Sequence, residues 1–214
     1  MIYDAKFTHI RDYAKALEVI RQRKASKPNF TLIDVGASAN PWTKDFVTHI
    51  VDFAKGGLAA TYFTGNICDM RVWNLVLEHV KWHGKFDFLV CTHTLEDISS
   101  PKMVSNMFGK IANEGFIAMP SKFIELNKPE GQWTGYIHHR WIYDLVDGVV
   151  IGYPKQPFIE HMPFIHEWAA KNPWQGRDEI QYFWKDEADL KIINDDYLGP
   201  TTQAVIDYYR NLTK

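Results

Sequence analysis

The chain has 214 residues, 46% hydrophobic and 23% charged, ordinary values for a globular protein and enough for one substantial core. Twenty-six acidic against twenty-four basic residues leave a formal charge of -2, so no global electrostatic footprint points to nucleic acid or an anionic membrane. Two cysteines, Cys68 and Cys91, form no CxxC pair and predict reduced thiols; the charge-interrupted first 23 residues, unlike a signal-peptide core, predict a cytoplasmic protein.

Taken in chain order, residues 9–23 carry Ile10, Tyr13, Ala14, Leu17, Val19 and Ile20 at mostly helical spacing among charges, which predicts an amphipathic helix on a sheet. Phe30 to Val35 is a short β-branched and apolar run closed by Gly36, the pattern of a buried parallel strand. Strands are also predicted at Val47–Phe53 and Ala59–Phe63, then a helix over Val72–Trp82 running into the stop at Gly84. Phe86–Cys91 reads as a strand, Pro101–Ala112 as a helix capped by Ser99 or Ser100, and Phe116–Met119 as the next strand. Strands alternating with helices predict a Rossmann-like α/β fold: a mostly parallel sheet with helices on both faces and right-handed crossovers.

After Pro120 the rhythm breaks. Residues 121–142 are polar and aromatic, β segments are predicted at Val149–Tyr153 and Ile180–Trp184, and a last helix at Thr201–Leu212 capped by Thr201 or Thr202. The expectation is one domain, with a ligand-binding core over 1–120, a covering region over 121–184 and a C-terminal completion over 185–214.

Ligands of open parallel sheets bind beyond the carboxyl ends of the strands, so the residues following each strand carry the chemistry. Here they are Gly36 to Asn40, Asp52, Gly65 to Asp69 and Thr92 to Asp97. A strand-terminal glycine lets the backbone come close to a ligand, and an acid ending the second strand can accept hydrogen bonds from a ribose diol. Asp52 lies sixteen positions after Gly36, near the spacing of about 20 for such a pair. The loop Gly36-Ala37-Ser38-Ala39-Asn40 lacks the further glycines of a pyrophosphate cradle, which disfavours a nicotinamide-dependent oxidoreductase and favours a ligand without phosphates. Plainer readings exist for each: Asp34 and Asp52 as strand-end acids, Gly36 as a turn glycine, Glu96 and Asp97 as a solvated loop.

These motifs, in this order, resemble the class I S-adenosylmethionine-dependent methyltransferases, in particular a short bacterial methyltransferase-11-like type. The residues carrying the resemblance are Leu32-Ile33-Asp34-Val35-Gly36-Ala37 with Asn40 and Pro41, then Val51-Asp52, Gly65-Asn66-Ile67-Cys68-Asp69, the run from Phe86 through Thr92-His93-Thr94-Leu95-Glu96-Asp97, and Asn113 to Pro120. The resemblance implies S-adenosylmethionine as cofactor and S-adenosylhomocysteine as product. It implies Asp34, Gly36 and Ala37 under the methionine part, Asp52 on the ribose, Asn66 and Ile67 beside the adenine, and Thr92 and His93 beside the sulfonium. The chain departs from the family pattern at Ser38, where a second glycine is usual, and at Asn66, often an aspartate. A non-catalytic binding or scaffold protein, its cofactor site disabled by Ser38 and a clipped first helix, is the alternative.

The second half holds Tyr136-Ile137-His138-His139-Arg140-Trp141, preceded by Lys122 and Glu125. Glu125, Tyr136, Arg140 and Trp141 are expected at the substrate or in the covering region, and His93, His138 and His139 are the candidate bases for a small-molecule acceptor. In an extended segment, adjacent histidines face opposite sides, so only one of His138 and His139 is expected at a given pocket. No compact metal-ligand spacing is present; a metal held by His93, Glu125 and one of this pair is the weaker alternative.

Overall fold

The computed structural model describes residues 1–39, 41–58, 60–193 and 198–214. The expectations placed on Asn40 and Ala59 lie outside the described residues. A seven-stranded sheet runs in the order β1 (Ile2–Thr8), β9 (Glu179–Lys185), β6 (Ala112–Pro120), β5 (Phe86–Thr92), β2 (Leu32–Val35), β3 (His49–Asp52), β4 (Thr61–Thr64). Strands β2 to β6 are mutually parallel, while β9 is antiparallel to both β6 and β1. The helices are α1 (Ala14–Ser26), α2 (Met70–His83), α3 (Pro101–Ile111), the short α4 (Lys122–Glu125), α5 (Pro163–Lys171) and α6 (Thr202–Arg210). The expected mostly parallel α/β sheet is present.

Period-two alternation divides each central strand between two cores. Ile33, Val35, Leu89 and Cys91 face a cluster with Trp73, Val76, Val104 and Phe108 of α2 and α3. Leu32, Phe88 and Val90 face the other side, against Ala16 and Ile20 of α1 with Phe116 and Phe183. Burial on both faces explains why these strands read as continuous apolar runs. Helix α2 begins at Asp69, whose carboxylate accepts the Arg71 N–H at 2.9 Å, and stops at Gly84 with φ +82°, the left-handed backbone that glycine takes without a Cβ penalty.

Several elements went unread or were misplaced. Strand β1 precedes the first helix, which starts at Ala14 rather than residue 9, after a turn closed by Asp12 N–H to the His9 carbonyl. Strand β7 (Trp141–Val146), helix α5 and strand β10 (Leu190–Ile192) were not expected as elements. Ile180–Trp184, assigned to the covering region, is strand β9 of the main sheet. The elaboration after Pro120 is a second, three-stranded sheet β10-β8-β7, with β8 at Val149–Pro154, and a satellite core in which Ile142, Tyr153, Ile159 and Ile165 meet Tyr208, Tyr209 and Leu212. Cys91 is buried and Cys68 half-buried, both unpaired. Among the described residues no helix is long and apolar enough to cross a membrane.

Candidate functional site

From β2 the chain order moves outward one way through β3 and β4, and from β5 the other way through β6. A crevice therefore opens between the loops that follow β2 and β5, the place where such sheets bind ligands. A cavity of about 440 Å³ lies there, lined by Arg11, Tyr13, Asp34, Gly36, Ala37, Ser38, Pro41, Trp42, Thr92 and His93.

Gly36 has φ +77°, and a Cβ built on it would stand 2.2 Å from Thr94 Oγ1, so only glycine fits between β2 and the loop after β5. Its N–H donates to the Val51 carbonyl at 2.8 Å. Ser38 takes φ +57°, the left-handed backbone that glycine would adopt more cheaply, and keeps its side chain exposed at the rim. Its N–H donates to Asp52 Oδ2 at 3.0 Å, while Phe53 N–H donates to Asp52 Oδ1 at 2.6 Å. Asp52 thus closes the loop after β2.

Asp34 is buried at the floor and accepts a hydrogen bond from the Thr43 hydroxyl. Burial raises its carboxyl to about 7 against the lowering effect of the Thr43 bond, with nearby Asp52 adding to the rise. Above it, the rings of Tyr13 and Trp42 lie 4.6 Å apart, and Trp42 Nε1 donates to Thr92 Oγ1 at 3.2 Å.

His93 follows β5 with φ +49°. Its Nε2 is 2.6 Å from Glu179 Oε2 and its Nδ1 3.2 Å from Glu96 Oε1. Burial works to lower its pKa, but the two carboxylates outweigh that and raise it to about 9. The two carboxylates thus favour the protonated imidazole. Both ring nitrogens face carboxylates, which orients the ring beside the cavity. Glu179, fully buried, also accepts the Arg11 N–H at 3.1 Å and, through Oε1, the Gln181 side-chain N–H at 2.6 Å. The Glu96 contact is an ion pair off the line of a good hydrogen bond, and both Glu96 oxygens, 1% exposed as a residue, lack a hydrogen-bond partner among the described residues. The solvated-loop reading fails for buried Glu96, whereas Asp97 is exposed and lies 3.7 Å from His139 Nε2.

The segment 136–140 is a turn, with His139 N–H donating to the Tyr136 carbonyl at 3.1 Å, so the two histidines do not alternate as in a strand. Their rings lie 4.4 Å apart. The turn is stitched to the loop after β5: Arg140 N–H donates to the Glu96 carbonyl at 2.7 Å and Trp141 Nε1 to the Ile98 carbonyl at 2.8 Å. His139 Nδ1 is 2.7 Å from Glu125 Oε1, and Lys155 Nζ holds Glu125 Oε2 at 2.8 Å. Burial alone would lower the His139 pKa, but Glu125 dominates and raises it. Tyr136 and Arg140 flank this turn, half-buried and exposed respectively.

The structure thus brings Asp34, Gly36, Ala37, Thr92 and His93 around one cavity, while His139 with Glu125 and Trp141 stand against the loop after β5 and line no part of the cavity. Asn66 and Ile67 line no part of that cavity. The Asn66 amide oxygen accepts the Cys68 N–H at 2.9 Å, and Ile67 is buried with its carbonyl on Trp73 Nε1. His93 and Glu125 hold different partners, so the metal set of His93, Glu125 and one neighbouring histidine does not assemble. Sequence reasoning missed Glu179, Arg11, Tyr13 and Trp42 as site residues. An acid opening an apolar run, Glu179 before Ile180 to Trp184, was the available signal.

No family model and no curated protein matches the chain. Solved structures to which it is similar include WbdD, a bifunctional kinase-methyltransferase, at 12% identity over 82% of this chain and 41% of that one, TM-score 0.42. Another is the N-terminal domain of EvdMO1 with S-adenosylhomocysteine bound, at 9% identity over 81% of this chain and 84% of that one, TM-score 0.40. A third is a cyclopropane-fatty-acyl-phospholipid synthase-like protein from Lactobacillus casei, at 10% identity over 85% of this chain and 96% of that one, TM-score 0.38. The chain spans about two fifths of WbdD.

Proposed function

We propose that the protein binds S-adenosylmethionine in the crevice between the loops after β2 and β5 and transfers its methyl group to a small-molecule acceptor. The observation that carries this is the cavity floor: a glycine that no other residue can replace, beside a buried carboxyl and under two aromatic rings. Phosphate-cradling glycines are absent, while a zwitterionic amino-acid end and an adjacent sulfonium match what the cavity offers.

Arg11 at the rim is placed for the cofactor's α-carboxylate and Asp34 for its α-ammonium, since opposite charges in a half-closed cleft attract with little screening. The Tyr13 and Trp42 faces suit a sulfonium, as aromatic faces attract cations. Asp52, at the far side of the Ser38 turn, is where the ribose diol would reach; its oxygens retain lone pairs beyond the two backbone N–H groups they accept. Bound there, S-adenosylmethionine supplies a methyl carbon already activated by its sulfonium. The chain's part is to align nucleophile, carbon and sulfur and to exclude water. His93, held as a cation by Glu179 and Glu96, fixes the loop after β5 rather than moving a proton.

An acceptor has room in a second cavity of about 540 Å³, lined by Trp133, Ile137, His139, Lys155, Ile159 and Glu160 among others. It joins an apolar wall to a few charged groups, the usual make-up of a small-molecule site.

Calorimetric titration with S-adenosylmethionine and S-adenosylhomocysteine tests the reading. Both are expected to bind the wild type, and Gly36→Ala is expected to abolish the heat while a melting curve shows the chain still folded. No heat from the folded wild type at millimolar ligand overturns the proposal.

A further inference from the structure

We propose that Asp97, His138 and His139 form a binding site for a divalent cation of the zinc type. Among the described residues these three offer one ligand atom each, a carboxylate oxygen and two imidazole nitrogens, all within 4.8 Å of one another. Two ligands on opposite sides of one ion stand roughly 4.2 Å apart at metal–ligand distances of about 2.1 Å, and roughly 3.4 Å apart at a tetrahedral angle. His139 Nε2 and Asp97 Oδ1 are 3.7 Å apart, too far for a hydrogen bond between them and close to the span across one ion. The exposed His138 ring, its centroid 4.4 Å from that of His139, offers the third ligand atom.

A second, independent observation lies behind the ligands. His139 turns its Nδ1 to Glu125 Oε1 at 2.7 Å and its Nε2 toward Asp97, an arrangement that favours the tautomer with the proton on Nδ1 and Nε2 as the ligand atom. A carboxylate behind a histidine in this way is the usual outer support of a metal-bound imidazole, fixing its tautomer and strengthening it as a ligand. Glu125 is itself fully buried and pinned by Lys155 Nζ, so the support is rigid. The two ligand-bearing segments are already tied together by the Arg140 N–H bond to the Glu96 carbonyl. Little rearrangement is then needed to form the site.

Two nitrogens and one carboxylate leave coordination positions open, unlike a closed structural zinc site. His138 and His139 also line a cleft of about 490 Å³ with Ser99, Arg140, Trp141 and Lys155, which leaves space for water or an oxygen-bearing ligand beside the two imidazoles. Metal occupancy takes the Nε2 of His139 that would otherwise be available to accept a proton. The site stands on its own residues and does not depend on methyl transfer.

The test is calorimetric titration of untagged, chelator-treated protein with Zn2+, repeated with Co2+ while its visible absorption is recorded. One ion per chain is expected, with the cobalt spectrum reporting nitrogen and oxygen ligands. His138→Gln and Asp97→Asn, both exposed side chains, are expected to weaken binding at least tenfold without moving the melting temperature. Glu125→Gln is expected to weaken it tenfold to a hundredfold from behind the ligands. His166→Gln serves as a control and leaves affinity unchanged, since His166 is bound to the Glu160 carbonyl elsewhere. Absence of binding by the folded wild type, or binding that none of the three substitutions weakens, overturns the proposal. Neither result bears on S-adenosylmethionine binding, which the separate titration reads.

Discussion

His93 and His139 both stand against the loop after β5, each bonded to a fully buried glutamate, yet they are committed to opposite extents. His93 has one carboxylate on each nitrogen, at 2.6 and 3.2 Å, and nothing left to offer. His139 has a carboxylate at 2.7 Å on one nitrogen only, and its other nitrogen looks across 3.7 Å to Asp97. Glu179 gathers an imidazole, a side-chain amide and a backbone N–H from three parts of the chain, whereas Glu125 is divided between a lysine and His139. The first arrangement locks a loop in place; the second orients a side chain that still has a free ligand position.

Breaking the lock gives the largest expected effect. Glu179→Ala removes the carboxylate partner of half-buried His93 together with the acceptor for Arg11 N–H and Gln181, and loss of one member of a largely buried ion pair costs about 3 kcal/mol or more. At roughly 2–4 °C per kcal/mol for a chain of this size, the melting temperature is expected to fall on the order of 10 °C. A fall of only a degree or two would show that the hub adds little to the fold. Because Glu179 sits on β9 and its partners on the β1–α1 turn and the loop after β5, cofactor affinity is expected to fall with it.

The titration of His93 sharpens the same comparison by a smaller amount. Its folded pKa of about 9 stands above the usual 6.5, so the protonated form is preferentially stabilised by folding. That stabilisation is complete below pH 6.5 and is lost as pH rises through 9. The wild type is therefore expected to lose melting temperature between pH 7 and 9.5, and His93→Gln, which cannot titrate, to lose less over that range. Parallel pH profiles for the two proteins would show that the imidazole is not held as a cation.

What the sequence made legible follows from how local each signal is. Leu32 to Val35, Phe86 to Cys91 and Phe116 to Met119 are buried almost throughout and announce themselves as apolar runs, whereas the polar start of β6 at Ala112 to Gly115 does not, and Gly84 and Thr201 act within one turn of their own helices. Gly36 was legible because a strand-ending glycine is a local event. Glu179 was not, since its place depends on β9 running antiparallel: only then does the first residue of that strand lie at the edge where β6 ends, paired with Pro120. Strand direction is not written in residue order. The tie between Asp97 and His138–His139 was hidden for a related reason, as it needs the turn at 136–140 and a backbone bond to Glu96 across some forty residues. Strand β1 was missed because its edge position leaves it half-exposed, with no continuous apolar run.

The smallest expected change in stability is at Asp34, and it separates a fold role from a binding role. Burial raises this carboxyl to about 7, above the 3.8 of an unperturbed aspartate. Between those values the unfolded chain is ionised while the folded chain keeps its proton, so the group lowers stability as pH rises from about 4 to 7. Asparagine cannot ionise and can still accept the Thr43 hydroxyl through its amide oxygen. Asp34→Asn is therefore expected to melt at or slightly above the wild-type temperature at pH 7.5. If Asp34 meets the ammonium of the cofactor, the same substitution weakens S-adenosylmethionine binding about tenfold, the 1–2 kcal/mol of a hydrogen bond to a charged group. A variant that is as stable as the wild type and binds equally well would leave Asp34 a strand-end acid beneath the loop, and would move the ammonium contact to the rim of the cavity. Calorimetry and a melting curve on one protein preparation decide between them.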